Sequence, residues 1–429
     1  MNPINGYKKR LYKKVFRTID VPEDLADITD IDHASEISPA SVALDDTAID
    51  MIWDAAEDLY RTGVYPMLSL CIRRQGEIVM NRTLGYARDE IEATTNTPIC
   101  LFSSSKCVSA VLIHLLAQQG HIHLMDPVSY YIPEFAAKGK GGISILQLLS
   151  HRAGVPSIPE GTPTELLFDH EKALQLICEA EPTDHMGRIQ AYHAITGGFI
   201  IDELIRVTNG MNAQQYLNRY ISKPMGMRYF RYGLTKRDQA KAALNALTGP
   251  NIELINRGLK SVMGAEPSEI VELTNDDRFF GAIVPSANLY ATGEEVSRFF
   301  QMLLNGGAWE GKQILDPLTV YKATRALGKS ELDKSLMLPM RYSPGFMLGG
   351  TPYGMYGPNS EHAYGHLGFS NIMCWADPER DIAVSFMNTG KLALGPHLKT
   401  FPALIGSIAE QCDTLVDMTE TVPSYHRQH

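Results

Sequence analysis

The order of strand-like and helix-like segments along the chain is its strongest constraint on fold. Ala48 to Thr62 has helical periodicity around Ile49, Ile52, Trp53 and Leu59. Tyr65 to Arg74 follows with Leu68, Leu70 and Ile72 alternating, then a Gln75-Gly76-Glu77 turn and a returning strand, Ile78 to Leu84. From Ser103 to about Lys260 most segments read as helices, broken at Lys138 to Gly142 and Val155 to Pro163 by Gly and Pro. Strand-like segments return late, at Ser343 to Leu348, Gly365 to Trp375 and Ile382 to Asn388. A last helix is expected from about Pro402 to Cys412, since proline is accepted in a first helical turn. Strand-rich ends around a helical middle predict an α+β fold: one antiparallel sheet built from both ends and flanked by helices, with a mostly helical domain inserted. The expected divisions are a discontinuous sheet domain, 46–102 and 275–412, a helical domain, 103–274, an N-terminal extension, 1–45, and a tail, 413–429.

The 429 residues, 44% apolar and 21% charged, support a sizeable core. A net charge of −10 argues against a nucleic-acid partner, which would want a basic face. The basic cluster Lys8, Lys9, Arg10, Lys13, Lys14 and Arg17 is the exception, and its simplest reading is a solvated terminal segment. No signal-peptide apolar region follows it, and no stretch is long enough to span a bilayer, so stable membrane insertion is not expected. Six scattered cysteines without a CxxC pair fit free thiols in a cytoplasmic protein.

The chemistry centres on Ser103 and Lys106, in Leu101-Phe102-Ser103-Ser104-Ser105-Lys106-Cys107-Val108. Three-residue spacing on a helix puts hydroxyl and amine on one face, about one turn apart. Ser104 and Ser105 lack that offset. The helix that follows carries Val108, Val111, Leu112, Leu115 and Leu116 at three-and-four spacing and reads as amphipathic. A hydroxyl needs a base to act as nucleophile, and a lysine serves only if its pKa of about 10.4 falls by roughly 3 units, or about 4 kcal/mol. Burial and a nearby positive group both push it that way, so Lys106 is expected to be buried. Alone, the pair fits a capped helix start and a solvated lysine better than a catalytic pair. There is no Gly-x-Ser-x-Gly elbow, no nucleotide fingerprint, and no metal-ligand spacing around His121 and His123, so no cofactor or metal is expected.

Over residues 50 to 410 the chain resembles the serine β-lactamase and penicillin-binding protein superfamily. It is most similar to the class C β-lactamase branch with its family VIII carboxylesterases. The SxxK motif matches Ser103-Ser104-Ser105-Lys106, the Leu-Leu-x-His-x-x-Gly motif matches Leu148 to Gly154, and Tyr131-Ile132-Pro133-Glu134-Phe135 and Phe299 to Gly307 are also typical. The Tyr-x-Asn motif is met only at Tyr192, because Ala194 replaces the asparagine; the third motif reads His366-Leu367-Gly368. The resemblance implies a β-lactamase/transpeptidase-like fold with Ser103 as acylated nucleophile and Lys106 and Tyr192 sharing proton transfer. It places the backbone amides of Ser103 and Phe369 in an oxyanion hole, with His366, Leu367 and Gly368 on a substrate-lining strand. His366 would hydrogen-bond near Tyr192, and Tyr192 would need positive neighbours to act as a base.

In β-lactamases and peptidases of this superfamily the asparagine binds the substrate amide. Ala194 offers no such partner, which an amide-bearing substrate would miss at a cost of about 1–3 kcal/mol. The expected substrate is therefore a small-molecule ester, and the expected activity a carboxylesterase. The alternatives are a β-lactamase, a D-amino-acid peptidase or amidase, an ester-dependent acyltransferase, or an inactive binding homologue. Homo-oligomerisation is compatible with the sequence.

Overall fold

The computed structural model describes residues 16–155, 157, 162–184, 186–250, 252, 253, 256–258, 260 and 264–416. The basic cluster from Lys8 to Lys14, part of the break after Val155 and most of the C-terminal tail lie outside these residues.

Among the described residues, eight strands form one antiparallel sheet: β1 (Thr29–Ile31), β2 (Met67–Arg74), β3 (Glu77–Arg88), β4 (Ile91–Glu92), β5 (Met347–Leu348), β6 (Tyr364–Leu367), β7 (Met373–Asp377) and β8 (Ile382–Asn388). Their order is β5-β6-β7-β8-β2-β3-β1, with β4 pairing beside β3. The chain's two ends meet where β8 pairs with β2, from Ile382 opposite Arg74 to Asn388 opposite Leu68. The β2–β3 hairpin closes through Gln75 and Gly76 with φ of 52° and 88°, the left-handed pair a two-residue turn requires.

Helices cover both faces. On one, α1 (Ala48–Tyr60) and α5 (His397–Gln411) pack together and bury Ile52, Leu59, Leu404 and Ile408 against Leu68, Leu70, Ile72, Val384 and Phe386. On the other, α4 (Gly293–Leu304) places Val296, Phe299 and Phe300 in the core that also holds Ala383 and Met387. The run Ile382 to Asn388 is thus apolar nearly throughout because both its faces are covered. Each fully buried side chain of this size contributes about 1.5–3 kcal/mol.

The expected α+β architecture is present, with local departures. Residues 25–44 pack on the sheet: β1 is its edge, and Leu25, Ile28, Val42 and Leu44 are buried in the α1–α5 core. Gly365 to Trp375 is a hairpin rather than one strand, turning through Gly368–Ile372 between β6 and β7. Of Ser343 to Leu348 only Met347–Leu348 is strand, because Ser343 to Phe346 is closed by a turn. α5 starts five residues before Pro402, which is exposed within it and forgoes only one bond. The inserted region is mostly helical, but Arg231–Tyr232 joins a ribbon with Leu289–Ala291 and Ile99–Cys100. Among the described residues, no helix is long and apolar enough to cross a membrane, and all six cysteines are buried and unpaired.

Candidate active site

Ser103 lies in a one-turn 3-10 helix, Phe102–Ser104, that leads into α2 (Ser105–Gln118). Every residue of α2 from Ser105 to Leu116 is buried. The helix is therefore a central strut rather than the amphipathic helix its spacing suggests, because core surrounds it on all sides. The turn is fixed from two directions. Leu101 donates its amide to Leu289 O at 2.8 Å, and Ser105 Oγ accepts the Leu289 amide at 3.0 Å. Ser104 Oγ donates to His366 O on β6 at 2.9 Å. Ser104 and Ser105 are thus fully buried and spent on structure, whereas Ser103 is partly exposed.

Lys106 Nζ donates to Ser103 Oγ at 3.0 Å and to Ser286 O at 2.9 Å. Its side chain is buried, and that burial holds its pKa well below the ordinary lysine value. Burial alone supplies the shift; the neighbouring Cys107 acts in the opposite sense. Ser286 reaches this position because Gly198 has no side chain: a Cβ there would lie 2.3 Å from Ser286 Oγ. Gly198 belongs to α3 (Thr196–Asn209), the helix directly after Tyr192.

Tyr192 is buried, with its ring centroid 4.9 Å from Lys106 Nζ. Burial raises its pKa, and a side-chain hydrogen bond with Ser103 opposes the rise without cancelling it. The phenol is therefore protonated at neutral pH, not the phenolate that positive neighbours would have made. Asp333 fixes its backbone by accepting the Tyr192 amide at 3.1 Å while also accepting from Tyr342 Oη at 3.1 Å.

His366 is buried beside Tyr192, ring centroids 6.0 Å apart. Its Nδ1–H donates to Leu367 O at 2.7 Å, and Nε2 has no partner among the described residues. The expected hydrogen bond to Tyr192 is thus absent there, because the ring is turned to its own strand. Burial and Lys106 together push the His366 pKa down to about 3, so it is neutral. Gly368 lets the strand end approach the Ser103 turn: a Cβ there would lie 2.6 Å from Leu101 O. Phe369 follows, its ring 5.7 Å from that of Phe102.

The structure therefore brings Ser103, Lys106, Tyr192, His366 and the Leu367-Gly368-Phe369 segment to one place. Further residues complete the surroundings. His151, from the Leu148–Gly154 motif, lies between Tyr192 and Tyr342, tilted to the first and edge-on to the second at centroid distances of 4.8 and 4.9 Å, and accepts the His193 amide on Nδ1 at 3.1 Å. Ala194 is buried in an apolar cluster with Tyr192, Met340, Tyr342 and Met347, which Leu336 and Leu367 border. The Leu148–Gly154 motif marked His151 and the Tyr-x-Asn position marked Ala194, whereas Ser286, Asp333 and Tyr342 reach the site from distant segments. A separate cavity of about 850 Å³ is lined by Asp32, Arg88, Arg228 and Glu294 among others, and none of the Ser103 cluster borders it. Two of its arginines are paired, Arg228 with Asp238 and Arg298 with Glu294.

The Beta-lactamase family model matches residues 53–403, and the chain belongs to that family. It is a serine hydrolase of the β-lactamase and penicillin-binding protein superfamily. Among known proteins it is similar to Esterase/beta-lactamase LipL of Mycobacterium tuberculosis, 27% identical over 307 residues that cover 68% of this chain and 69% of LipL. Two crystal structures share its fold. A penicillin-binding protein homologue from Caulobacter crescentus has a TM-score of 0.74 at 23% identity, covering 85% of this chain and 97% of the other. A family VIII carboxylesterase has a TM-score of 0.72 at 24% identity, covering 83% and 96%.

Proposed function

We propose that the protein is a carboxylesterase that forms an acyl-enzyme on Ser103 from small or medium acyl esters. The observation that carries the ester reading is Ala194: the position that holds an amide-binding asparagine in the superfamily faces Met340, Tyr342 and Met347 here. An apolar wall suits an acyl chain and leaves a substrate amide without a partner. The double name of LipL supports the esterase reading and keeps β-lactam hydrolysis as the competing one.

In this reading neutral Lys106 takes the Ser103 proton as Oγ adds to the ester carbonyl. The amides of Ser103 and Phe369 receive the oxyanion, each contributing about 3 kcal/mol in the transition state. Tyr192, held protonated by burial, donates to the departing alkoxide and is reprotonated from Lys106. Water then attacks the acyl-enzyme along the reverse proton path, returning the proton to Ser103 and releasing the acid.

The test compares kcat/KM on p-nitrophenyl butyrate with that on nitrocefin. Ester turnover should dominate, and faster nitrocefin hydrolysis would overturn the substrate assignment. Labelling by a fluorophosphonate should occur at Ser103 and vanish in Ser103→Ala.

A further inference from the structure

Lys391 follows β8 and is fully buried. Its Nζ donates to Asn388 O at 3.0 Å and to Phe369 O at 3.3 Å, with Asn388 Oδ1 at 3.5 Å. The same nitrogen lies 4.6 Å from the centroid of the Phe102 ring. Phe102 immediately precedes Ser103, and Phe369 follows Gly368. One amine therefore touches both segments whose amides form the proposed oxyanion hole.

Both segments hold conformations that non-glycine residues keep only where their surroundings impose them. Phe102 has φ of 48°, and in the β6–β7 turn Ser370 and Asn371 have φ of 58° and 68°. The turn is clamped from the segment after β8. Ser370 Oγ donates to Leu392 O and accepts the Leu392 amide, each at 2.8 Å. Asn388 Nδ2 donates to Ser370 O at 2.8 Å, and Asn371 Nδ2 donates to Tyr65 Oη at 2.9 Å. Lys391 is the member of this clamp that also reaches the Ser103 turn.

We propose that Lys391 is a positioning residue: braced by Asn388, it holds the Phe369 peptide and the Phe102–Ser103 turn so that the two amides aim at one oxygen. It does not touch substrate, and the proposal rests on the acyl-enzyme reading of Ser103. Burial lowers the Lys391 pKa to about 7, opposed only by the Cys100 thiol, which is itself neutral because burial pushes it up to about 11. The charged form is present below that pH and is the stronger partner for a carbonyl and an aromatic face. Its hold on the two segments therefore loosens as pH rises through about 7.

The test is Lys391→Met, which keeps the volume and removes the donor. For p-nitrophenyl butyrate, KM should stay within about twofold while kcat falls at least about tenfold, the signature of a lost transition-state contact. Affinity for a boronic acid that forms a tetrahedral adduct on Ser103 should fall by the same factor. The native-to-variant ratio of that affinity should be larger at pH 6 than at pH 8, a dependence that mere packing would not give. Unchanged kcat and boronate affinity, or a ratio flat with pH, would overturn the proposal. If Lys391→Met does not fold, Ser370→Ala carries the test: Ser370 is partly exposed and cuts the clamp at its outer end. That variant should lose kcat and boronate affinity with KM kept, and native values for all three would overturn the proposal. Fluorophosphonate labelling separates the two levels. An unlabelled native protein removes the acyl-enzyme reading, whereas a labelled native protein matched by both variants removes only the role of Lys391.

Discussion

Replacing Lys106 with methionine tests whether this amine is uncharged in the folded protein. Burial holds the Lys106 pKa well below its ordinary value, while in the unfolded chain the amine binds a proton below about pH 10.4. Where Lys106 is neutral in the fold and charged in the unfolded chain, the unfolded state holds one more proton. Native stability then rises with pH by about 1.4 kcal/mol per unit. Methionine carries no such dependence. Moving from pH 9 to pH 7 should therefore shift the stability difference by up to about 2.7 kcal/mol in favour of Lys106→Met. Against this stands a pH-independent loss: the Ser286 carbonyl and the Ser103 hydroxyl, 2.9 and 3.0 Å from Nζ, lose their donor. That loss costs about 1–3 kcal/mol. Urea unfolding of both proteins at pH 7, 8 and 9, followed by tryptophan fluorescence, gives the difference at each pH. A difference that stays flat means that Lys106 remains protonated in the fold, and it would refute its role as the resting base. In the same preparations kcat should fall by about 10²- to 10⁴-fold.

Tyr192→Phe should lower kcat about 100-fold by removing the donor to the leaving group, with little change in melting temperature; near-native kcat would show that the phenol is not in the proton path. Gly368→Ala puts a Cβ 2.6 Å from Leu101 O and 2.7 Å from Ile372 Cβ. It should cost about 1–3 kcal/mol in unfolding experiments and reduce ester turnover as the strand end shifts. Ala194→Asn restores the amide partner within the cluster of Met340, Tyr342 and Met347. It should raise the nitrocefin-to-ester rate ratio about tenfold while destabilising the fold by about 1–3 kcal/mol; an unchanged ratio would show that Ala194 does not set the substrate class.

The parts of this protein that were legible in its sequence are those governed by local pattern. Alternating Leu68, Leu70 and Ile72 marked β2, a nearly continuous apolar run marked β8 because helices cover both its faces, and three-residue spacing marked Ser103 and Lys106 because both sit on one turn. The hairpin between β6 and β7 was read as one strand because its turn uses Phe369, Ser370 and Asn371, and the latter two take left-handed φ without a glycine. The burial of α2 on every side was hidden because its polar residues, Ser105, Ser109 and His114, are satisfied by distant segments. Ser109 Oγ donates to Pro285 O at 2.6 Å, and His114 Nε2–H donates to Pro344 O at 2.8 Å. The same holds at the site. Ser286 meets Lys106, Asp333 meets Tyr192, Tyr342 meets His151 and Lys391 meets Phe102, each across 100 or more residues of chain, a distance at which spacing carries no signal. Tyr192 was recognisable by its place after Ser103, yet its protonation followed from burial, which only the packed structure reveals.

Catalysis as proposed passes through a covalent ester intermediate on Ser103. Turnover of p-nitrophenyl butyrate quenched in acid, followed by digestion and mass spectrometry, tests it most directly. The peptide containing Ser103 should gain the mass of one butyryl group, at an occupancy that rises when deacylation is slowed. A butyryl group on another residue, or full turnover with Ser103 unmodified at every quench time, would contradict it.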